Sequence, residues 1–335
     1  MMSTFYYLES RSTDPFYNLA LEQYVFDLLP QGTRCFMLWQ NDNAVIIGKF
    51  QNAIREINAE YVRENNIKVA RRLSGGGAVY HDMGNLNFTF IDDAENAQLD
   101  FSPYCKPVIS MLERMGVPAK MTGRNDMTVD GKKFSGNAQY SERGRIMHHG
   151  TILFDSDLTV LSKALNVKPD KFTGKGIRSV ESRVTNLKPY LPDCRDIRDF
   201  MAALRKEIHT VYDVTPLVLS GEDNAKIISL RDRVYSQWDW NYGFSPEYGI
   251  TKERYIEGCG TIRVSMDVAG GGAIRDLCFC GDYFAVRNPE ILAEMLKGCL
   301  LENSALRARL AETGTDPGLY FRNLSLDRFV QLLTE

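Results

Sequence analysis

Only four histidines and three tryptophans stand among the 335 residues, the seven cysteines form no Cys-x-x-Cys pair, and basic residues do not outnumber acidic ones. Each shortage excludes a class of function. With 40 Lys and Arg against 43 Asp and Glu, the formal charge is −3. The chain therefore lacks the basic surface that neutralising a nucleic-acid backbone requires, although a local basic pocket remains open. Cys35, Cys105, Cys194, Cys259, Cys278, Cys280 and Cys299 are odd in number and scattered. That fits reduced thiols in a core, and fits neither a disulfide framework nor a zinc site. His148 and His149 are adjacent, so they point to opposite faces of an extended segment and lack the i, i+4 spacing of a helical metal pair. No apolar run approaches the ~18 residues of a membrane span, and residues 1–10 lack the pattern of a signal peptide. The expectation is a cytoplasmic protein with neither membrane nor nucleic acid as partner.

What is present starts with a core. A hydrophobic share of 44% and an aromatic share of 11% can bury a large interior, and the length suggests two domains. Asp14-Pro15 followed by an apolar run from Phe16 to Leu29 predicts a first helix. Cys35 to Trp39 and Ala44 to Ile47 read as strands split by Gln40 to Asn43, hence as a hairpin. Residues 53–66 have a helical pattern, and Ile67 to Leu73 is a strand delivering Arg71-Arg72-Leu73-Ser74-Gly75-Gly76-Gly77. Three glycines let a ligand approach main-chain N–H groups, and two arginines precede them, so the stretch suggests an anion site. Beyond it Leu86, Phe88 and Phe90 alternate with Asn85, Asn87 and Thr89, giving one buried and one polar face. Helices are expected over 103–116, 158–166 and 193–213. A second triplet, Gly270 to Gly272, has no arginine before it and reads as a plain turn between the alternating runs Ile262 to Val268 and Leu277 to Phe279. Asn288-Pro289 caps a helix carrying Ile291, Leu292, Met295, Leu296, Cys299 and Leu300 on one face, and Ser325 starts a last one.

Asp130-Gly131 is a strong hairpin signal, pairing Val129 with Lys132 and Thr128 with Lys133. That parity sets Lys133 on a polar face with Asp126, Thr128 and Ser135, and sets Lys132 beside the apolar Met127, Val129 and Phe134. A one-residue bulge would reverse it. Lys171 to Asn186 is rich in Gly, Lys, Arg and Ser without periodicity and reads as a basic loop able to act as a lid. No P-loop, dinucleotide fingerprint or Gly-x-Ser-x-Gly nucleophile accompanies these cations. A site with cations and backbone donors but no nucleophile suits direct attack of one bound substrate on another, such as a carboxylate on the α-phosphate of ATP.

The motifs RRLSGGGAVYHDMGNLNF (71–88), GRND (123–126), GKKFSGNAQ (131–139), HHGT (148–151) and GIRSVESRVTNL (176–187), with WNYGFSP (240–246), resemble the lipoate-protein ligases of the biotin/lipoate ligase superfamily. The resemblance implies an α+β fold: a biotin/lipoate ligase-like catalytic domain of mixed β-sheets flanked by helices over residues 1–246, and a smaller α+β accessory domain over 247–335. It implies an ATP-dependent enzyme that makes lipoyl-AMP from lipoate or octanoate and passes the acyl group to a lysine. By resemblance Lys133 is the catalytic lysine. Arg72, Gly77, Ala78, Val79, Tyr80, Lys133, Lys175, Arg178 and Arg183 bind ATP or the adenylate. Ser74, Gly75, Gly76, Lys133, His149 and Gly150 bind lipoate, and Asn125 and Asp126 hold Mg²⁺. The implied cofactors are ATP and Mg²⁺ as a substrate complex, with lipoate as substrate and no tightly bound prosthetic group. The implied partners are apo lipoyl domains of 2-oxoacid dehydrogenase acyltransferase subunits and the glycine cleavage H protein, met by a monomer. The alternatives are a cysteine-independent lipoyl or octanoyl transferase between carrier proteins and a non-catalytic lipoate-binding homologue. A transferase using an active-site cysteine is disfavoured because the cysteines lie outside the motifs.

Overall fold

The structure is a computed structural model and describes residues 4–93, 100–123, 125–166, 183–243, 250–269 and 272–334. In chain order the strands are β1 (Thr4–Glu9), β2 (Thr33–Trp39), β3 (Ala44–Ile47), β4 (Lys68–Arg71), β5 (Val79–His81), β6 (Asn85–Asp93), β7 (Lys120–Thr122), β8 (Asp126–Val129), β9 (Lys132–Glu142), β10 (Arg145–Leu153), β11 (Val214–Pro216), β12 (Ile250–Ile256), β13 (Gly260–Val268) and β14 (Ile274–Gly281). The helices are α1 (Pro15–Leu28), α2 (Ala53–Glu56), α3 (Ala59–Glu64), α4 (Ser102–Arg114), α5 (Leu158–Ala164), α6 (Ile197–Val211), α7 (Gly221–Leu230), α8 (Trp238–Tyr242), α9 (Pro289–Leu296), α10 (Asn303–Glu312) and α11 (Leu326–Thr334).

Period-two alternation decides which face each strand residue joins. The large sheet runs β11-β1-β2-β6-β10-β9-β8-β7, and both of its faces are covered. Phe36, Leu38, Phe88 and Phe90 pack on Val108 and Leu112 of α4 and on Phe200 and Leu204 of α6. Cys35, Met37, Trp39, Ile91 and Met147 pack on Leu19, Val25 and Phe26 of α1. Each of these large apolar side chains contributes roughly 1.5–3 kcal/mol by leaving water. The polar residues of β6, namely Asn85, Asn87 and Thr89, are buried too. The polar face expected there is therefore an interior strip, lying on the α1 side of the sheet.

A second sheet, β4-β3-β5, stacks over that strip, and here the expected hairpin of residues 35–39 and 44–47 is corrected. Strand β2 pairs with β1 and β6, whereas β3 pairs with β4 and β5. The intervening turn carries the chain between layers because Asn41 is buried and held by Asn18 and His81, and Asn43 takes φ +44°. Asp14 precedes α1 without capping it by its side chain, which meets Lys68 Nζ at 3.1 Å instead. The helical pattern of 53–66 is realised as α2 and α3, each capped by an asparagine, Asn52 and Asn58.

Strands β12-β13-β14 form an antiparallel meander packed on α9, α10 and α11, with its own apolar cluster from Ile256 to Leu333. Helix α9 stops at Leu296, so the longer apolar face expected through Leu300 is not formed: Gly298 takes φ +78° and Leu300 is exposed. A hook at the end of β14 ties this part to the rest. Gly281 N donates to Phe50 O at 2.7 Å, Gly76 N donates to Tyr283 O at 3.1 Å, and Phe284 enters the first core beside Phe101.

Candidate functional site

Turn chemistry builds the lysine hairpin. Asp130 and Gly131 take φ +50° and +74°, as a type I′ turn requires, and Val129 faces Lys132 while Thr128 faces Lys133. A bulge follows at Phe134, after which Met127 faces Ser135. Because it falls beyond Lys133, the lysine keeps its side: Nζ lies 2.8 Å from Asp126 Oδ1. Glycine at 136 leaves room for the lysine, since a Cβ would sit 2.9 Å from Lys133 Nζ and push its end aside. On the outer edge, Lys133 N donates to Arg183 O at 2.8 Å and Thr185 N donates to Lys133 O at 2.9 Å. The end of the basic segment thus runs beside the lysine; Lys175 and Arg178 lie outside the described residues.

Between the large sheet, α1 and the second sheet is a small, largely apolar cavity of about 100 Å³, reaching Leu19, Trp39, Ile46, His149 and Phe284. A larger, somewhat more polar groove of about 620 Å³ adjoins it, reaching Tyr80, Asp126, Arg183 and Asp282. The two share Ala78, Val79, Asn125, Lys133, Gly136 and Thr151 as wall. Lys133 therefore stands where a small chamber meets a larger groove whose lining carries more polar groups. Arg72, Gly76, Gly77, His149 and Gly150 also line the chamber.

Ser74 and Gly75 line neither space. Ser74 Oγ hydrogen-bonds His149 Nε2 at 2.6 Å, and His149 Nδ1 hydrogen-bonds Glu22 Oε1 at 2.9 Å. Glu22 also accepts from Thr89 Oγ1 at 2.5 Å, and Thr89 accepts from Trp39 Nε1 at 2.9 Å. The order is that of a Ser–His–acid relay. With Ser74 sealed behind the wall and also receiving Arg72 Nε at 3.0 Å, it fixes the imidazole rather than presenting a nucleophile. His148 points the other way, into the core between Phe88, Phe101 and Tyr104, and burial drives its pKa down.

The two arginines serve the loop's own backbone. Arg71 donates to the carbonyls of Trp240, Gly48, Lys49, Gln51 and Asn241 at 2.6–2.9 Å. Arg72 donates to Ile46 O, Gly75 O and Gly77 O. Burial lowers each guanidinium to about 10, so both stay charged at neutral pH. Arg71 lines neither space, which changes its part in the expected anion site: it clasps the 48–51 turn to α8. Tyr80 donates to Asn43 Oδ1, and burial raises its pKa to about 12. Asn125 Nδ2 donates to Asn137 O at 2.6 Å, fixing the turn before Asp126.

Residues 14–209 match the family model for the lipoyl protein ligase A/B catalytic domain, and residues 245–333 match that for the bacterial lipoate protein ligase C-terminus. The chain belongs to the lipoate-protein ligases. It is 40% identical over 325 residues to lipoate-protein ligase LplJ of Bacillus subtilis, covering 96% of this chain and 97% of that one. P. falciparum LipL1, solved in complex with lipoate, is similar with a TM-score of 0.78 and 25% identity, covering 98% of each chain. Lipoate-protein ligase A solved with ATP has a TM-score of 0.62 and 25% identity over 73% of this chain and all of that one. The ligase thus has the expected α+β fold. Sequence reasoning missed Glu22, Trp39, His81, Asn87 and Phe284 as wall or support of its chamber. For Glu22 a signal existed, a carboxylate on the buried stretch of α1 between Leu21 and Val25. For Phe284 none did, because the contact joins parts some two hundred residues apart.

Proposed function

We propose that the protein joins lipoate to ATP and then to a protein lysine, with the acyl chain in the small chamber and the nucleotide in the larger groove. The observation that carries the reading is Lys133 at their shared wall. A carboxylate arriving from one side and an α-phosphate from the other meet at its ammonium group. The carboxylate oxygen attacks phosphorus, the bond to the bridging oxygen breaks, and pyrophosphate leaves with the electron pair. Lys133 offsets the charge that gathers on phosphorus in the transition state, a task for which a preorganised cation suits. In the second step a lysine ε-amine of a lipoyl domain attacks the acyl carbonyl, the bond to AMP breaks, and the amine loses a proton as the amide forms.

ATP arrives as its Mg²⁺ complex. Among the described residues no group of three or more His, Cys, Asp or Glu could hold a metal. Asp126 beside Asn125 would offer a carboxylate to Mg²⁺ entering with the triphosphate, and the metal would offset phosphate charge there. A triphosphate entering the groove competes with Asp126 for Lys133 and frees the carboxylate for that use. The backbone from Gly77 to Tyr80 and the 175–183 segment are assigned to the adenylate, Gly150 and His149 to the acyl chamber. Residues 1–246 would supply most of both sites, with 247–335 as an accessory domain that adds Phe284 to the chamber and Asp282 to the groove. None of the seven cysteines lines the chamber or the groove, which weighs against acyl transfer through a thioester on the enzyme.

The test is Lys133→Ala assayed for lipoyl-AMP and for the mass of an apo lipoyl domain incubated with ATP, Mg²⁺ and lipoate. The native protein should add one lipoyl group. The variant should form adenylate about 10²–10³-fold more slowly with an unchanged melting temperature. Full adenylation by the variant would refute the assignment.

A further inference from the structure

Two polar groups in the chamber wall carry hydrogens with nothing to receive them. His81 Nε2 and Asn87 Nδ2 are buried without a hydrogen-bond partner among the described residues, and both side chains line the chamber while only 2% exposed. Of the other polar groups around them, His149 lies between Ser74 and Glu22 and Thr89 between Trp39 and Glu22, whereas the acceptor Asn85 Oδ1 is likewise buried without a partner among the described residues.

A chain of amides sets the proton on His81. Asn18 Nδ2 faces the carbonyls of Ser12 and Gln40 and Asn41 Oδ1 at 2.9 Å, and shares its two hydrogens among these three acceptors. Asn41 then presents Nδ2 to His81 Nδ1 at 3.1 Å. Nδ1 must accept, which leaves the hydrogen on Nε2. Burial lowers this imidazole to about 3, so it stays neutral. Asn87 Oδ1 accepts from Asn85 Nδ2 at 3.0 Å, leaving Nδ2 to donate elsewhere.

Strand register sets these donors at the end of the chamber away from Lys133. Asn87 pairs with Trp39 on one side and Thr151 on the other. The His81 ring stands edge-on to Trp39 at 6.2 Å. Gly136, which lies under Lys133 Nζ, donates from its backbone to Thr151 Oγ1 at 3.2 Å. Strand β6 is two spacings from β9, about 10 Å, a gap that an extended five-carbon arm ending in a ring bridges when its carboxylate meets Lys133.

We propose that His81 Nε2–H and Asn87 Nδ2–H receive the sulfur atoms of the dithiolane ring, and so make the chamber select lipoate over octanoate. The inference rests on the reading of the chamber as the acyl site. Sulfur is a weak but polarizable acceptor. The methyl end of octanoate accepts nothing and would bury both donors unpaired, which is costly.

The test compares kcat/KM for lipoate and octanoate, with ATP and one apo lipoyl domain, in native protein and in Asn87→Leu. The native protein should favour lipoate, and Asn87→Leu should shrink the preference about tenfold through a higher KM for lipoate. A second measurement needs no variant: octanoates bearing a single thiol on the chain should fall between the two acids. Equal use of lipoate and octanoate by the native protein would overturn the proposal. So would an equal loss for both acids in Asn87→Leu, which would mean that the donors serve a water or the fold. Failure of the native protein to ligate either acid would remove the ligase reading itself, and this inference with it.

Discussion

Replacing Arg71 by lysine separates a structural clasp from a ligand contact. The guanidinium makes five hydrogen bonds to carbonyls of Gly48, Lys49, Gln51, Trp240 and Asn241. A lysine has three donors from one point, so at least two carbonyls lose their partner. Each bond between a charged donor and a carbonyl contributes about 1.5–3 kcal/mol, and non-additivity trims the sum, so Arg71→Lys should cost roughly 2–4 kcal/mol. At about 2 °C per kcal/mol for a chain of this size, the melting temperature should fall by roughly 4–8 °C. Urea unfolding monitored by tryptophan fluorescence gives the energy directly, because Trp240 Nε1 donates to Arg71 O at 2.9 Å and α8 reports on the clasp. Below the transition, titration with ATP should show affinity close to that of the native protein. An unchanged unfolding midpoint together with lost nucleotide binding would refute the reasoning and return Arg71 to the ligand.

Two further outcomes follow from burial and close approach. His81 and His148 are held neutral by burial, with folded pKa values below the ordinary 6.5. Between that value and the depressed one the unfolded chain binds more protons, so stability is present above pH 6.5 and is lost as pH falls. Each histidine contributes a slope of up to about 1.4 kcal/mol per pH unit, and urea midpoints that stay level from pH 7 to pH 5 would contradict this. A Cβ on Gly75 would lie 2.2 Å from Tyr283 O, whereas one on Gly77 meets nothing within 4 Å. Gly75→Ala should therefore lose about 2 kcal/mol or more by prising the 281–284 hook away, and Gly77→Ala should stay within about 0.5 kcal/mol; equal melting temperatures would count against the hook.

Local chemistry was legible in the residues. Asp130-Gly131 dictates its own turn, and the period of two then carries Lys133 to the side of Asp126, because a hairpin's register is set within a few residues. Proline at the start of α1 and the alternation along β6 and β13 are of the same kind. The bulge at Phe134 could have undone the lysine's placement, and only its position past Lys133 prevented that. What the residues could not reveal is which distant strands meet. Gln40 to Asn43 looks like a hairpin turn because the strands beside it are short and apolar, yet each finds its partners far along the chain, β2 with β6 and β3 with β4. The choice between His148 and His149 depends on which face of β10 looks toward α1, and that is settled by the pairing of His149 with Thr89. The two arginines before the glycines advertise an anion, but a buried guanidinium goes wherever unpaired carbonyls converge. For Arg71 those carbonyls come from residues 48–51 and 240–241, a convergence that exists only in the folded chain.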